Sequence, residues 1–286
     1  MKIAIASGKG GTGKTLVATN LFWSAQKAGM PVTLVDCDAE EPNIAEFITG
    51  TVTGTRTVMQ KIPVIDRNEC TFCGKCHEYC NYHAIVFLKP AEFIQVVEEI
   101  CHDCGACTVA CEYDAITEKE KQLGTVKSIF INSHAQIVEG RAEIGVFSPV
   151  RVIKAAIKQS NGAEISIFDA PPGTSCPFIS TIETADFVVL VTEPTPFGLN
   201  DLKLSVESLK HLSKSFGVII NRAGLGNKNV YAYLSENSIP LLMEIPFDRK
   251  IAGIYSEGKL IAEEMPGCSE MFLQLYGKIK EIYLKP

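Results

Sequence analysis

Short unbroken apolar runs separated by longer stretches of mixed character set the rhythm of this chain. KIAIAS at 2–7 and PVTLVDCD at 31–38 are the first two runs, each short and continuously hydrophobic like a strand buried on both faces. Between them, 14–28 is amphipathic and predicts a helix. The stretch 49–62 is rich in Thr and Gly, has weak periodicity and reads as a linker. TVKSIFIN and AQIVEG read as strands, and 149–160 as a helix. From 164 onward the alternation resumes: ISIFDAPPG, then DFVVLVTEP, a helix over 200–212, FGVIINR and PLLMEIPFD. Strand and helix alternating in this way predict an α/β fold, a mostly parallel sheet with helices on both faces. A cysteine-rich segment breaks the pattern, so the expected division is one α/β domain in two parts, 1–62 and 119–286, around a small α+β insert at 63–118.

Composition narrows this only a little. The 286 residues are 46% hydrophobic and 21% charged, enough apolar material for a large core. The net charge of −6 gives no general case for nucleic acid. No apolar stretch approaches the ~20 residues of a membrane span, so no stable membrane insertion is expected. The N-terminus goes straight into a strand-like run without a signal peptide, and the expected location is cytoplasmic. Eight of the eleven cysteines fall between Cys70 and Cys111 in two evenly spaced sets. That spacing suits thiolate ligands in a reducing compartment better than disulfides.

The loop after the first strand carries the clearest chemistry. Gly8, four residues, Gly13, Lys14 and Thr15 match G-x-x-x-x-G-K-[ST], with a strand before and a helix after. Gly8, Gly10, Gly11, Thr12 and Gly13 would bring backbone N–H groups around phosphates at a helix N-terminus. Lys14 would reach the terminal phosphates of ATP or ADP, and the Thr15 hydroxyl would bind Mg²⁺. The plain alternative is a glycine-rich turn with no ligand.

KGGTGKT resembles the variant loop of the MinD/ParA/Mrp group, which includes the iron protein of nitrogenase. The resemblance implies an ATPase that dimerises when ATP is bound, with Lys9 reaching across to the partner's phosphates and stabilising charge during phosphoryl transfer. Otherwise Lys9 is a solvated loop lysine. VDCDAE is similar to the family's first switch. This implies that Asp38 positions or activates the attacking water and that Asp36 supports Mg²⁺ or the loop; aspartates after a strand are also common helix caps. FDAPPGT resembles the second switch, implying Asp169 in the Mg²⁺ shell and Gly173 at the γ-phosphate. IINR and IPFD resemble adenine-contacting segments, which implicates Asn221, Arg222, Pro246 and Asp248.

Cys70-x2-Cys73-x2-Cys76-x3-Cys80 is repeated 31 residues later as Cys101-x2-Cys104-x2-Cys107-x3-Cys111, and CNYHAI answers CEYDAI. The spacing is similar to that of bacterial two-cluster ferredoxins. That resemblance implies two [4Fe–4S] clusters: Cys70, Cys73, Cys76 and Cys111 on one, Cys80, Cys101, Cys104 and Cys107 on the other. The proline usual after the fourth cysteine is absent, with Asn81 and Glu112 in its place. Zinc is the competing reading, since C-x2-C pairs also suit tetrahedral sites.

Lesser signals remain. Cys176, in GTSCPF, stands where the nitrogenase iron protein has a cysteine ligating a dimer-bridging cluster, but no second cysteine accompanies it, Cys268 being far along the chain. Cys37 reads as a small buried residue, Trp23 as core, and His77, His83 and His102 as surface or turn residues. The amphipathic tail MFLQLYGKIKEIYLK is expected to pack on the sheet. Three functions follow from the resemblances: an ATPase serving redox-linked metallocofactor or iron–sulfur cluster assembly, an ATP-gated electron carrier, and a positioning or scaffold ATPase. The first two call for a redox or assembly protein as partner.

Overall fold

In the computed structural model, which describes residues 1–160 and 162–284, the apolar runs become strands of one sheet. β1 (Lys2–Ala6) turns through the glycine loop into α1 (Lys14–Lys27), followed by β2 (Val32–Asp36). β3 (Thr51–Ile65), α2 (Lys75–Glu78), β4 (Ile85–Leu88), β5 (Phe93–Val96), α3 (Ala106–Ala110) and β6 (Ile116–Asn132) carry the chain through the cysteine region. Next come β7 (Ala135–Ala142), α4 (Val150–Gln159), β8 (Ile165–Asp169), α5 (Cys176–Glu183), β9 (Phe187–Thr192) and α6 (Pro196–His211). The chain ends with β10 (Phe216–Ala223), α7 (Asn229–Glu236), β11 (Leu241–Pro246), α8 (Arg249–Ser256), α9 (Ile261–Glu264) and α10 (Cys268–Leu284).

The nine-stranded sheet has the order β11-β10-β9-β1-β8-β2-β7-β6-β3, and every pair from β11 to β7 is parallel. Every residue of β2, β8 and β9 is buried, so these strands need no alternation of apolar and polar positions. Two residues join β6 to β7, a connection that only an antiparallel pair permits. β3 also runs against β6: the Thr53 hydroxyl donates to the Ser128 carbonyl, while the Asp66 N–H donates to the Ala115 carbonyl.

The chain forms two compact units. The first holds Met1–Arg56, Thr125–Arg141 and the chain from Pro149 on; the second holds Thr57–Gly124 and Ala142–Ser148. The stretch 49–62, expected as a linker, is mostly strand: β3 begins at Thr51. Its Thr- and Val-rich sequence suits a strand, but as the last strand in the order it exposes nearly all of its first eight residues. With no buried face over those eight residues there is no apolar period to read there. α6 also starts four residues before its expected position. Thr195 caps it, accepting from the Gly198 N–H at 3.0 Å, and Pro196 takes the first helical position.

In the first unit the tail helix α10 buries Phe272, Leu275 and Ile279, one stripe at i, i+3 and i+7, against the core that includes Leu21 and Phe22 of α1. Lys285, the last residue of the expected tail stretch, lies outside the described residues. Phe272 is wholly buried. Phe272→Ala is expected to cost about 3–5 kcal/mol, read as a lower urea midpoint of unfolding. Among the described residues no helix is long and apolar enough to cross a membrane.

The second unit is small. An antiparallel β4–β5 hairpin and the apolar residues Ile85, Ile94 and Ile116 pack with Cys76 and Cys107. The 31-residue sequence repeat is also a backbone repeat. Left-handed backbone occurs at Phe72 and Asp103 (φ 51° each), at Gly74 and Gly105 (85° and 70°), and at His83 and Asp114 (53° each). This unit carries twelve carboxylates against six basic side chains, whereas the first carries twenty-one of each sign. The whole net charge therefore belongs to the cysteine unit, and long-range attraction of a charged partner would act there.

Candidate nucleotide site and cysteine-lined cavities

The first site is built where strands of the parallel sheet end. β1 delivers the glycine loop, β2 delivers Asp36 and Asp38, β8 delivers Asp169, and β10 delivers Asn221 and Arg222. In an open α/β sheet this carboxyl edge is where ligands bind. Gly13 has φ 101°, and a Cβ there would stand 2.3 Å from the Asn221 side-chain nitrogen. That nitrogen donates to the Thr12 carbonyl at 2.8 Å and straps the loop to β10. Lys14 opens α1 with its side chain buried; burial pushes its pKa down, while Asp169 and Asp38 oppose this.

The carboxylates divide by partner. Thr15 donates its hydroxyl to Asp169 Oδ2 at 2.6 Å, while Asp169 Oδ1 is buried with no hydrogen-bond partner. Thr12 Oγ1 is likewise buried and unpartnered. Such orphaned oxygens are costly unless a ligand or ion completes them. Burial raises the Asp169 pKa to about 7 against the pull of Thr15 and Lys14. Asp36 faces Asp169 in the β2–β8 register, but its own oxygens are taken. Oδ2 accepts from the Asn43 and Ile44 N–H groups and Oδ1 from that of Asp38. Asp36 thus shapes the turn that presents Asp38. Burial raises the Asp38 pKa, and Lys14 pulls it back. The Gly173 N–H donates to the Ser7 carbonyl at 3.1 Å, tying the segment after β8 to the start of the loop.

Beside the loop lies an open cavity of about 200 Å³. Asn221, Arg222, Pro246 and Asp248 all line it, together with Gly11 and Gly13. Asp248 also caps α8, accepting from the Lys250 N–H at 2.7 Å. Sequence reasoning missed its apolar wall, Leu16, Phe247, Ile251, Ala252 and Tyr255. A periodic apolar stripe over 247–255 was the available signal. It also missed Glu193. Lys9, expected to serve a partner subunit, here donates to Glu193 Oε1 of its own chain at 2.5 Å. Arg222 donates Nη1 to Glu193 Oε2 at 2.8 Å and Nη2 to the Gly11 carbonyl at 3.2 Å.

The second unit holds two further cavities. Both are small, about 20 Å³; one is lined by Cys70, Cys73, Cys76 and Cys111, the other by Cys80, Cys101, Cys104 and Cys107. The fourth cysteine of each sequence set thus lines the cavity of the opposite set. Among the described residues no three His, Cys, Asp or Glu side chains converge on a position for a single metal ion. His102 stacks on Tyr82 at 3.8 Å between centroids, and both line the second cavity. His77 Nδ1 lies 2.6 Å from the Ile85 carbonyl. The other cysteines are dispersed in their surroundings, Cys37 buried, Cys176 exposed and Cys268 half-buried.

Residues 3–261 match the CobQ/CobB/MinD/ParA nucleotide binding domain. An uncharacterised protein of Methanocaldococcus jannaschii is 30% identical over 267 residues, covering 91% of this chain and 90% of its own. An iron–sulfur cluster carrier protein of Pyrococcus horikoshii is 23% identical over 307 aligned residues, covering 98% and 87%. Among solved structures, the septum site-determining protein MinD of P. horikoshii, complexed with Mg-ADP, superposes with a TM-score of 0.56. It is 21% identical and covers 100% of this chain and 99% of its own.

Proposed function

Because the chain belongs to the CobQ/CobB/MinD/ParA nucleotide-binding family, we propose that it is an ATPase working as a nucleotide-switched homodimer. Its cycle is coupled to redox-linked assembly of iron–sulfur clusters or other metallocofactors on a partner protein. The observation that carries this reading is the sorting of eight cysteines into two four-thiol cavities, in a chain that also has a phosphate loop. The similarity to an iron–sulfur cluster carrier protein supports it.

On the nucleotide side, loop N–H groups and Lys14 hold the phosphates, and the cavity walled by Phe247 and Tyr255 takes the base. Thr15 and the unpartnered oxygen of Asp169 fit a Mg²⁺ shell. Asp38, its basicity raised by burial, orients and deprotonates the attacking water. Lys9 acts in the partner's site, as the loop sequence implies. Lys9→Ala is then expected to keep nucleotide affinity within a few-fold and to lower turnover by about 10³-fold, as removal of an arginine finger does. A steady-state phosphate-release assay checks it, and surviving turnover rules out the cross-dimer role.

On the redox side, Cys70, Cys73, Cys76 and Cys111 hold one [4Fe–4S] cluster, and Cys80, Cys101, Cys104 and Cys107 hold the other. Four thiols to each cavity, spaced C-x2-C-x2-C with the fourth drawn from the other repeat, suit a cluster bound through one thiolate per iron better than a single zinc ion. Bound clusters would supply one-electron transfer. ATP-gated electron delivery is the second reading, because Cys37, Cys176 and Cys268, the cysteines outside the second unit, are far apart in sequence and form no C-x-x-C pair for a transferable cluster. A redox titration followed by electron paramagnetic resonance, with and without a non-hydrolysable MgATP analogue, separates them. A nucleotide-dependent shift in potential favours gating of electrons; identical signals favour assembly.

A further inference from the structure

Glu193 follows β9 at the bend into α6, and its side chain is only 10% exposed. The bend leaves little freedom. The Thr195 N–H donates to the Glu193 carbonyl at 2.8 Å, and a Cβ on Gly198 would fall 2.3 Å from that same oxygen. From this fixed base one carboxylate takes two cations. Oε1 accepts from Lys9 at 2.5 Å and from the Thr195 hydroxyl at 3.3 Å; Oε2 accepts from Arg222 at 2.8 Å. Although burial pushes the Glu193 pKa up, Lys9 and Arg222 hold it below the ordinary carboxylate value. Arg222 is itself held in the left-handed region, φ 55°, and its second arm reaches the Gly11 carbonyl. The phosphate loop is therefore gripped from its second residue and from its glycine turn through a single acidic side chain.

A lysine tied to its own chain cannot at the same time reach a partner's phosphates. We propose that Glu193 is a positioning residue that sequesters Lys9 in the free subunit and so sets how much nucleotide and protein are needed before two subunits close. This rests on the reading of the chain as a nucleotide-switched dimer in which Lys9 acts in trans. A state that must be vacated before assembly lowers apparent affinity in proportion to the fraction of subunits that remain free of it. Removing the carboxylate removes that tax, leaving Lys9 and Arg222 free to seek phosphate.

The test uses the full chain with its clusters, as wild type, Glu193→Gln and Glu193→Asp, with heat-denaturation midpoints compared to establish folding. First, without nucleotide, acetic anhydride labelling of Lys9 is followed by mass spectrometry. Labelling is expected to be several-fold faster in Glu193→Gln than in wild type and intermediate in Glu193→Asp; equal rates overturn the sequestration. Second, sedimentation with the non-hydrolysable MgATP analogue reads dimer formation against protein concentration. Glu193→Gln is expected to dimerise at about ten-fold lower concentration. A dimer that forms in wild type and does not move, or weakens, in Glu193→Gln overturns the role of Glu193 alone. If the wild type forms no analogue-dependent dimer, the dimer reading falls and this proposal with it.

Discussion

Lys14→Ala is expected to remove measurable MgATP binding while leaving the empty protein folded. Hydrogen bonds to charged groups are worth about 1.5–3 kcal/mol each, and a desolvated lysine on two phosphates makes more than one. The loss is therefore put at 100-fold or more in affinity, on a scale where about 1.4 kcal/mol is tenfold. Folding should respond quite differently. Burial already pushes the Lys14 pKa down, so in the empty site its charge is held at a cost that Asp169 and Asp38 only partly offset. On the proposed reading, bound nucleotide is what makes that placement favourable. A thermal-shift series checks both halves: the variant should melt within a few degrees of wild type without nucleotide and gain nothing from MgATP, where wild type gains. If the variant still gains, Lys14 does not hold the phosphates.

Cys111→Ser should abolish one cluster and leave the other, halving the iron content to about four per chain. The identity of the surviving cluster is the sharper result. By sequence Cys111 ends the second set, yet it lines the cavity of Cys70, Cys73 and Cys76. Its paramagnetic signature after reduction should match that of Cys70→Ser. Cys80→Ser should instead match Cys104→Ser, since those two residues share the other cavity. Grouping by sequence set would overturn the crossed ligand assignment, and unchanged iron would overturn ligation altogether.

The sheet's centre was legible because β1, β2, β8 and β9 are continuous apolar runs with glycine or acidic residues at their ends. The phosphate loop was legible for a related reason, since its chemistry is local and its spacing rigid. The Asp36–Asp169 neighbourhood followed from two strands being adjacent and in register, which runs alone suggest only loosely. β3 was missed because its first eight residues have no buried face to impose a period. The apolar wall of the cavity beside the loop was missed because Leu16 and Tyr255 meet only in three dimensions. Glu193 was missed for the opposite reason: a single glutamate after a strand has no motif, and its meaning comes from Lys9 and Arg222, which lie 184 and 29 residues away.

The exchange of cysteines between the two repeats has a consequence for the order of events on the ribosome. Synthesis makes Cys70, Cys73 and Cys76 first, but their cavity lacks its fourth thiol until Cys111 emerges. The other cavity has all four once Cys107 is out. The repeat that is translated first is the one whose site closes last, and neither repeat, cut away alone, contains a full set of four around either cavity.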